Sequence, residues 1–281
     1  MPSTALVWIR NDLRVRDHAP LRYAVDHFDR TVPVYCFDPR HVGTTMFDLP
    51  KMSAIRARFL RESLQDLRDS LQDLGSNLVV RRGRPETVLP DLVRETDAKE
   101  VLLFQEIGSE EREVENAVKE ALRDTGAKPA FFWGKTLYHI DDIPFEGPED
   151  IPNVYTNFRK GVEKKSHVRP TLDAPTSLPP IPESLEAGAL PTLDDLGYED
   201  DGRVDERAVL PFEGGETRGL DRIDEYIWRE DCLKKYKATR NGLLGANYSS
   251  KFSPWLAHGC ITPRQIHEEG ERYEDRRFDN K

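Results

Sequence analysis

The amino-acid sequence predicts an α/β fold, because short apolar runs alternate along the first half of the chain with connections long enough to carry helices. This alternation is typical of a parallel sheet, and it predicts a Rossmann-like domain over residues 1–133. A proline-rich stretch follows over residues 134–215, and helical patterns return over residues 216–281. The candidate strands are residues 6–9, 32–37, 78–80, 101–104 and 130–133.

The first candidate strand, residues 6–9, is an apolar run that leads into a charged turn. No G-x-G-x-x-G motif follows it, so we do not expect this domain to hold NAD or FAD through a glycine turn. Charges alternate at Arg10, Asp12 and Arg14, which predicts a structural network of paired or solvated groups.

Two amphipathic helices are predicted between the later strands. One covers residues 111–123 and lies before Gly126. The longer one ends before Gly75, a typical C-terminal stop. Its apolar residues recur at helical spacing and are Ile55, Phe59, Leu60, Leu64, Leu67, Leu71 and Leu74.

The stretch over residues 134–215 is a connector that combines many prolines with acidic spacers. Proline interrupts regular structure, so we expect a surface linker that wraps or bridges domains and contains a few short helices at most. Beyond it, residues 217–229 and 263–272 are predicted to be helical.

The charge balance limits how this chain can contact nucleic acid. The sequence has 51 acidic and 41 basic residues and a formal net charge of −10, which argues against a DNA-binding surface spread over the whole molecule. Any such contact must be local. Basic clusters occur at residues 159–160, 164–169 and 234–237, although each is also typical of a solvated helix face.

The cysteines and the N-terminus indicate a cellular compartment. Cys36, Cys232 and Cys260 are far apart, odd in number and outside any C-x-x-C pair. They argue against a disulfide framework and a zinc site, and they favour a reducing compartment. The sequence shows neither a membrane-length apolar run nor a secretory signal. We therefore expect a cytoplasmic protein with no membrane partner and no metal.

Residues 236–259 combine hydroxyl, ammonium and small side chains around a predicted helix start. Ser249, Ser250 and Ser253 can donate hydrogen bonds, and Lys251 adds a positive charge. Ser253 followed by proline predicts an N-cap and a first helical residue, and a helix start attracts anions. This chemistry suits a phosphate cradle, but the same pattern also marks an ordinary helix start.

Several stretches of the chain resemble the photolyase and cryptochrome family, and especially its cryptochrome-DASH branch. Residues 239–264 read TRNGLLGANYSSKFSPWLAHGCITPR and are similar to the family's flavin-binding segment. Residues 8–21, WIRNDLRVRDHAPL, are similar to the family's opening strand, charged turn and helix. The connector stretches TLYHIDDIPF and PNVYTNFRKGVEKKSHVRP also resemble DASH sequences. The resemblance spans essentially all 281 residues.

The resemblance implies FAD as the cofactor, with its ribityl and pyrophosphate parts held by this segment. It also implies that residues 216–281 are the beginning of an all-helical FAD-binding domain. The positions carried over for FAD binding are Tyr236, Ser249, Ser250, Lys251, Phe252 and Ser253.

A second pigment is implied by the stretch LFQEIGSEEREVE, which resembles the family's loop between the domains. Relatives often hold a folate there as a light-collecting antenna. Glu106 is the carboxylate best placed to bind the donor edge of a pterin, as in methenyltetrahydrofolate. The alternative is a surface residue or a helix cap, since acids are common near helix starts.

The implied activity is light-driven repair of cyclobutane pyrimidine dimers in DNA, with single-stranded DNA as the expected partner. A blue-light photoreceptor that repairs nothing is an alternative. Family members extend beyond the point that corresponds to Lys281, so a truncated, inactive chain with weak nucleotide binding is another. We therefore assign no catalytic residue, and we expect apolar helical surface on residues 217–229 that could associate with another chain.

Overall fold

Five parallel strands form one sheet in the structure, a computed structural model that describes residues 2–199, 202, 206–242 and 245–278. The strands are β1 (Thr4–Ile9), β2 (Arg30–Phe37), β3 (Val79–Arg82), β4 (Glu100–Phe104) and β5 (Lys128–Phe132). Their order is β3-β2-β1-β4-β5, and every neighbouring pair is parallel. The predicted fold class and all five candidate strands are confirmed.

Helices connect the strands and cover the sheet. They are α1 (Ala19–His27), α2 (Pro39–Val42), α3 (Ala54–Asp73), α4 (Pro85–Thr96) and α5 (Ser109–Leu122). The helix predicted over residues 111–123 is α5, which begins two residues earlier and ends one residue earlier. Connections of this length are what parallel strands require.

The central strand β1 is buried on both sides, which explains why its sequence is continuously apolar. Ala5, Val7 and Ile9 belong to the core shared with α1 and α3. Leu6 and Trp8 alternate with them and belong to the second core, which α4 and α5 complete.

Helix α3 packs on the sheet through most of the predicted apolar face. Phe59, Leu60, Leu64, Leu67 and Leu71 are all buried, and Leu74 is partly buried. The prediction is wrong for Ile55, which is 72% exposed. Ile55 lies nearly opposite Leu64 and Leu71 around the helix axis, whereas Ala57 in the same first turn is fully buried.

The connector lies against the edge of the sheet and contains one longer helix, α6 (Tyr155–Lys165). The Val80 amide of edge strand β3 donates to the Ala187 carbonyl over 2.7 Å, and the Leu178 amide donates to the Leu74 carbonyl over 2.7 Å. The first of these bonds pairs a backbone group that the edge strand would otherwise expose. The short 3₁₀ turns of the connector are Ile140–Asp142, Pro148–Asp150 and Asp194–Leu196.

The last part of the chain is helical. Its helices are α7 (Glu216–Asp224), α8 (Tyr236–Thr239), α9 (Ser253–Ala257) and α10 (Pro263–Phe278), and α7 continues as a π-helical turn over Glu225–Arg229. The remaining 3₁₀ turns are Arg123–Thr125 and Leu233–Lys235. The domain limits at residues 133 and 215 stay a prediction.

The expectation of uncovered apolar surface on residues 217–229 is wrong for much of this segment. Ile223, Tyr226 and Ile227 are buried, because they share one core with residues of α3, α9 and α10. Leu220 and Trp228 are less covered, and they line an open cavity of about 410 Å³ beside α10.

A tightly packed seam joins the turn after β1 to the helical part. The Val15 and Arg16 amides donate to the Glu216 carboxylate over 2.8 and 3.0 Å. Arg14 is buried and donates to the Gly259 carbonyl over 2.9 Å. Gly259 has φ +63°, and a Cβ there would lie 2.0 Å from the Asn11 carbonyl oxygen, so this approach requires glycine.

The predicted structural network of Arg10, Asp12 and Arg14 is confirmed. Arg10 pairs with Glu115 at 2.8 Å, and the buried His18 ring contacts Asp12 at 2.9 Å. His18 Nδ1 accepts from the Leu21 amide, so Nε2 carries the proton that it donates to Asp12. Burial lowers the pKa of His18. Burial alone would raise the pKa of Asp12, but the hydrogen bond from His18 brings it below its usual range.

Within the described residues, no helix combines the length and the apolar character that a membrane crossing needs. Cys36, Cys232 and Cys260 are free and buried. No cluster of three or more potential metal-binding side chains occurs among the described residues.

Candidate functional site

The candidate site is a loop that Arg222 of α7 holds in place. The Arg222 guanidinium donates to the Ala246 carbonyl over 2.9 Å, to Asn247 Oδ1 over 3.2 Å and to the Ser250 carbonyl over 3.2 Å. It also pairs with Glu225 at 2.8 Å, and its own side chain is 3% exposed. This buried guanidinium therefore holds the backbone of the loop that carries the serine and lysine residues predicted to bind FAD.

Sequence reasoning missed Arg222. It lies on the same side of α7 as Gly219 and Tyr226, at spacings of three and four residues. A charged residue within an otherwise buried helical face needs polar partners, and this pattern in the sequence could have identified Arg222.

The loop brings the predicted serine and lysine side chains together at a partly exposed surface. Lys251 Nζ donates to Ser249 Oγ over 3.2 Å. Ser249, Ser250 and Lys251 are each half-buried, while Ser253 is exposed. Hydroxyl and ammonium donors are therefore available to an anionic ligand without any unfolding of the loop.

Lys251 adopts a left-handed backbone conformation, with φ +56°. Residues other than glycine rarely adopt it, and it costs about 1–3 kcal/mol unless neighbouring contacts enforce it. Here Phe252 is 5% exposed and packs edge-on against Tyr226, with ring centroids 5.8 Å apart. The buried Phe252 ring anchors the strained residue from one side, and the Arg222 contacts hold the loop from the other.

The prediction of Ser253 as a helix N-cap is wrong. Helix α9 begins at Ser253 itself, Phe252 occupies the cap position, and no side chain caps it. The bulk of Phe252 and Trp255, both buried, sets the start of this five-residue helix instead. The hydroxyl of Ser253 is therefore free to face solvent rather than the helix's own amides.

Tyr236 begins α8 and is 39% exposed. Within the described residues, no hydrogen bond or ring contact joins it to the serine loop. Its neighbour is Tyr226, whose pKa is raised by burial and then by Cys232 and Tyr236.

The polar groups at this site fit the polar groups of FAD. The Tyr226 hydroxyl is buried and has no hydrogen-bond partner among the described residues. Buried hydroxyls are normally paired, so a ligand atom would complete it. The Lys251 ammonium and the two serine hydroxyls are donors of the kind that a diphosphate requires.

A second candidate site lies at the carboxyl ends of β1 and β4, where the strand order of the sheet reverses. Ligands of open α/β sheets bind at this position. A cavity of about 240 Å³ opens there between Glu106 and Lys135 on one side and Leu256 and Thr262 on the other.

Glu106 lines this cavity and is neither a surface residue nor a helix cap. It is 9% exposed and forms an ion pair with Lys135. The cap position of α5 is occupied by Gly108. The Glu106 amide donates to Glu115 over 2.8 Å, which holds the backbone at the end of β4. Lys135 was not predicted, because it lies 29 residues further along the chain.

An open cleft of about 720 Å³ lies near this cavity, at the end of β5. Its lining combines aromatic side chains such as Trp133 and Phe131 with Arg169 and Arg264. Both arginines are paired with carboxylates, Arg169 with Asp142 and Arg264 with Asp17. Their charges are therefore already compensated.

His258 lies between the two sites, directly after α9. Its carbonyl accepts from the Leu13 amide over 3.1 Å, and its ring packs against Phe59 at 5.3 Å. Burial and the nearby Arg56 lower the pKa of His258 to about 4. The ring is therefore neutral at pH 7.

Comparisons with known proteins give one consistent result. The family model described as DNA photolyase matches residues 5–182. Cryptochrome DASH of Gloeobacter violaceus is 52% identical over 278 residues, covering 99% of this chain and 55% of that protein. Cryptochrome DASH of Xenopus laevis is 46% identical over 283 residues, covering 100% of this chain and 54% of that protein. The chain thus spans about half the length of these curated relatives.

Solved structures agree with the sequence matches. A cryptochrome from Synechocystis sp. PCC6803 superimposes with a TM-score of 0.93 at 44% identity, covering 99% of this chain and 57% of that one. A bacterial class III photolyase from Agrobacterium tumefaciens superimposes with a TM-score of 0.82 at 26% identity, covering 99% and 54%.

Proposed function

The chain belongs to the photolyase and cryptochrome family, of the cryptochrome-DASH type, and from that membership we propose that it is a blue-light flavoprotein whose segment 236–253 binds FAD. The observation that carries the proposal is the loop fixed by Arg222, which carries Ser249, Ser250 and Lys251 and packs through Phe252 on Tyr226, whose hydroxyl is unpaired among the described residues. For the whole protein, the proposed activity is light-driven repair of pyrimidine dimers in single-stranded DNA.

Each residue has a role that follows from its chemistry. Lys251 and the hydroxyls of Ser249, Ser250 and Ser253 would hold the diphosphate. Tyr236 would donate to a ribityl or phosphate oxygen, and Phe252 would fix the loop from inside the core. FAD, when bound, supplies the light absorption and the electron transfer. The domain limits 1–133, 134–215 and 216–281 are part of the same proposal.

The experiment is a titration of the 281-residue chain with FAD, followed by quenching of flavin fluorescence. We expect Lys251→Gln to weaken binding about tenfold, the loss of one charge-assisted contact of about 1.5 kcal/mol or more. Lys119→Gln is the matched control, because Lys119 is exposed on α5. Equal affinities of the two variants would overturn the assignment of Lys251.

A second ligand is favoured by the cavity at the sheet's reversal point. We propose that Glu106 binds the donor edge of a pterin there, as in methenyltetrahydrofolate, with Lys135 positioning the carboxylate. The supporting observation is that a buried carboxylate lines a cavity between the sheet and the residues after α9.

This second proposal has its own test. We expect Glu106→Gln to lose the near-ultraviolet absorption band that methenyltetrahydrofolate gives when it co-elutes with the chain. Glu110→Gln is the control, since Glu110 is exposed in the first turn of α5. If Glu106→Gln retained the band, the proposal that Glu106 binds the pterin would be overturned.

A further inference from the structure

Asp17 is a fully buried carboxylate in an uncommon backbone conformation, and neither proposed ligand site includes it. It lies in the turn between β1 and α1, two residues before α1 begins. Its backbone is left-handed, with φ +52°. Residues other than glycine keep such a conformation only where surrounding contacts enforce it, and these positions cluster at functional sites.

The Asp17 carboxylate is surrounded by donors from the connector and from the start of α10. Its Oδ2 accepts from the Thr262 hydroxyl over 2.8 Å and from Arg264 Nε over 3.2 Å. Its Oδ1 accepts from the Leu172 amide over 3.2 Å and from Arg264 Nη2. The Asp17 amide donates to the Leu172 carbonyl over 2.8 Å, and its carbonyl accepts from Arg14 over 2.9 Å. One residue therefore joins the turn after β1 to two other segments.

The partners of Asp17 form walls of both openings described above. Thr262 lines the cavity of about 240 Å³ on the side opposite Glu106. Arg264 and Leu172 line the cleft of about 720 Å³. Asp17 itself is not among the described residues that line either opening, so it can affect a ligand only through these partners.

The hydrogen bonds of Thr262 direct its one hydroxyl proton to Asp17. Thr262 directly precedes α10, and its amide donates to Gln265 Oε1 over 2.8 Å, while the Gln265 amide donates to Thr262 Oγ1 over 3.1 Å. The hydroxyl oxygen is thus used as an acceptor, and its hydrogen goes to Asp17. Thr262 and Gln265 are both buried. The position of this wall therefore depends on the Asp17 carboxylate.

We propose that Asp17 is a positioning residue of the second ligand site: by holding Thr262, it fixes the wall that faces Glu106 and so the width of the cavity. This inference rests on the second ligand proposed above, because it takes the cavity as a binding site. It adds that the fit of a planar ligand is set across the seam, by a carboxylate after β1 that holds a residue of the helical part.

The test first measures, without any ligand, how fast acetic anhydride acetylates Lys135 in the full 281-residue chain. Lys135 lines the same cavity, pairs with Glu106 and is 16% exposed, so the width of the cavity limits access of the reagent. Asparagine tolerates the left-handed conformation, but its amide accepts on one side only, so Asp17→Asn releases part of the wall. We expect acetylation of Lys135 to be several-fold faster in this variant, relative to the exposed Lys119 in the same sample.

Glu216→Gln is the matched control. Glu216 is also a buried carboxylate of the seam, where it accepts from the Val15 and Arg16 amides. It is not among the described residues that line either opening, so its variant should leave the acetylation rate of Lys135 unchanged. The wild-type rate in Asp17→Asn would overturn the inference. Equal acceleration in both variants would also overturn it, because that result means a general loosening of the seam.

A second variant reaches the same wall from its other side and serves as the test if Asp17→Asn fails to fold. Thr262→Val removes the hydroxyl and should accelerate acetylation of Lys135 to a similar extent. In the double variant, Asp17→Asn should add little to the effect of Thr262→Val, because the effect of Asp17 passes through Thr262. Effects that multiply would contradict that route.

The same variants are then titrated with methenyltetrahydrofolate. We expect Asp17→Asn to weaken binding several-fold and to shift the absorption maximum of the bound folate, and we expect Glu216→Gln to do neither. A wild-type chain that binds no folate would refute the second ligand. The acetylation rates of Lys135 would still decide whether Asp17 sets the width of the cavity.

Discussion

Arg222 is the residue on which the geometry of the candidate flavin site depends. We expect Arg222→Met to lower the free energy of unfolding by about 2–4 kcal/mol, because the carbonyls of Ala246 and Ser250 lose a buried cationic donor. Affinity for FAD should fall in the same variant. Denaturant unfolding and the FAD titration measure the two effects.

Arg229 provides the matched control for that prediction. Its side chain is half exposed and pairs with Asp221 and Asp224 at the surface. Arg229→Met should therefore change the free energy of unfolding by less than about 1 kcal/mol. Equal losses for both variants would show that Arg222 has no special role in holding the loop.

His258 makes stability depend on pH. Its pKa is about 4 in the folded chain and about 6.5 when unfolded. Between these values the unfolded state binds more protons, so stability is complete above pH 6.5 and falls as the pH falls toward 4. His18, whose pKa is also lowered by burial, acts in the same direction.

The measurement is the melting temperature of wild type and His258→Gln from pH 7.5 to pH 4.5. We expect the wild type to lose several degrees across the window and the variant to lose less, because glutamine takes up no proton. Parallel curves would contradict a lowered pKa for His258.

At the scale of elements, α3 packs in one core with residues of both the sheet and the helical part. Leu64 is fully buried, so Leu64→Ala should cost about 2–5 kcal/mol in the free energy of unfolding. Ile55 of the same helix is 72% exposed, and Ile55→Ala should cost less than about 1 kcal/mol. Chemical denaturation of both variants checks the pair, and comparable losses would mean that α3 is placed wrongly.

The strands and long helices could be predicted from sequence because burial imposes a repeating pattern on them. β1 is apolar at every position because it is covered on both sides, and α3 repeats its leucines because one face meets the sheet. Ile55 shows the limit of that reasoning, since an apolar residue of the helix can lie off the face that meets the sheet.

The bounds of short elements depend on tertiary contacts that cannot be predicted from local sequence. Helix α9 begins at Ser253, one residue earlier than a serine N-cap at this position would place it, and the buried Phe252 and Trp255 lie at its start. Glu106 pairs with Lys135, and Arg222 donates a hydrogen bond to the Ala246 carbonyl. Each interaction joins distant parts of the chain. Such pairings follow from the fold and not from local spacing.

At the scale of the whole molecule, the sheet and the helical part pack directly against each other. Gly259, Glu216 and Arg14 bring the turn after β1 against the residues that follow α9. The cavity at Glu106 lies within this seam, and the loop held by Arg222 lies on its helical side. A ligand at either site would therefore be positioned by the whole arrangement.

The most direct test of the central claim is the absorption spectrum of the purified 281-residue chain after refolding with FAD and gel filtration. We predict a structured flavin band in the blue that elutes with the protein and is lost in Arg222→Met but not in Arg229→Met. A colourless wild-type protein that is folded and elutes as a single peak would contradict the claim that segment 236–253 binds FAD.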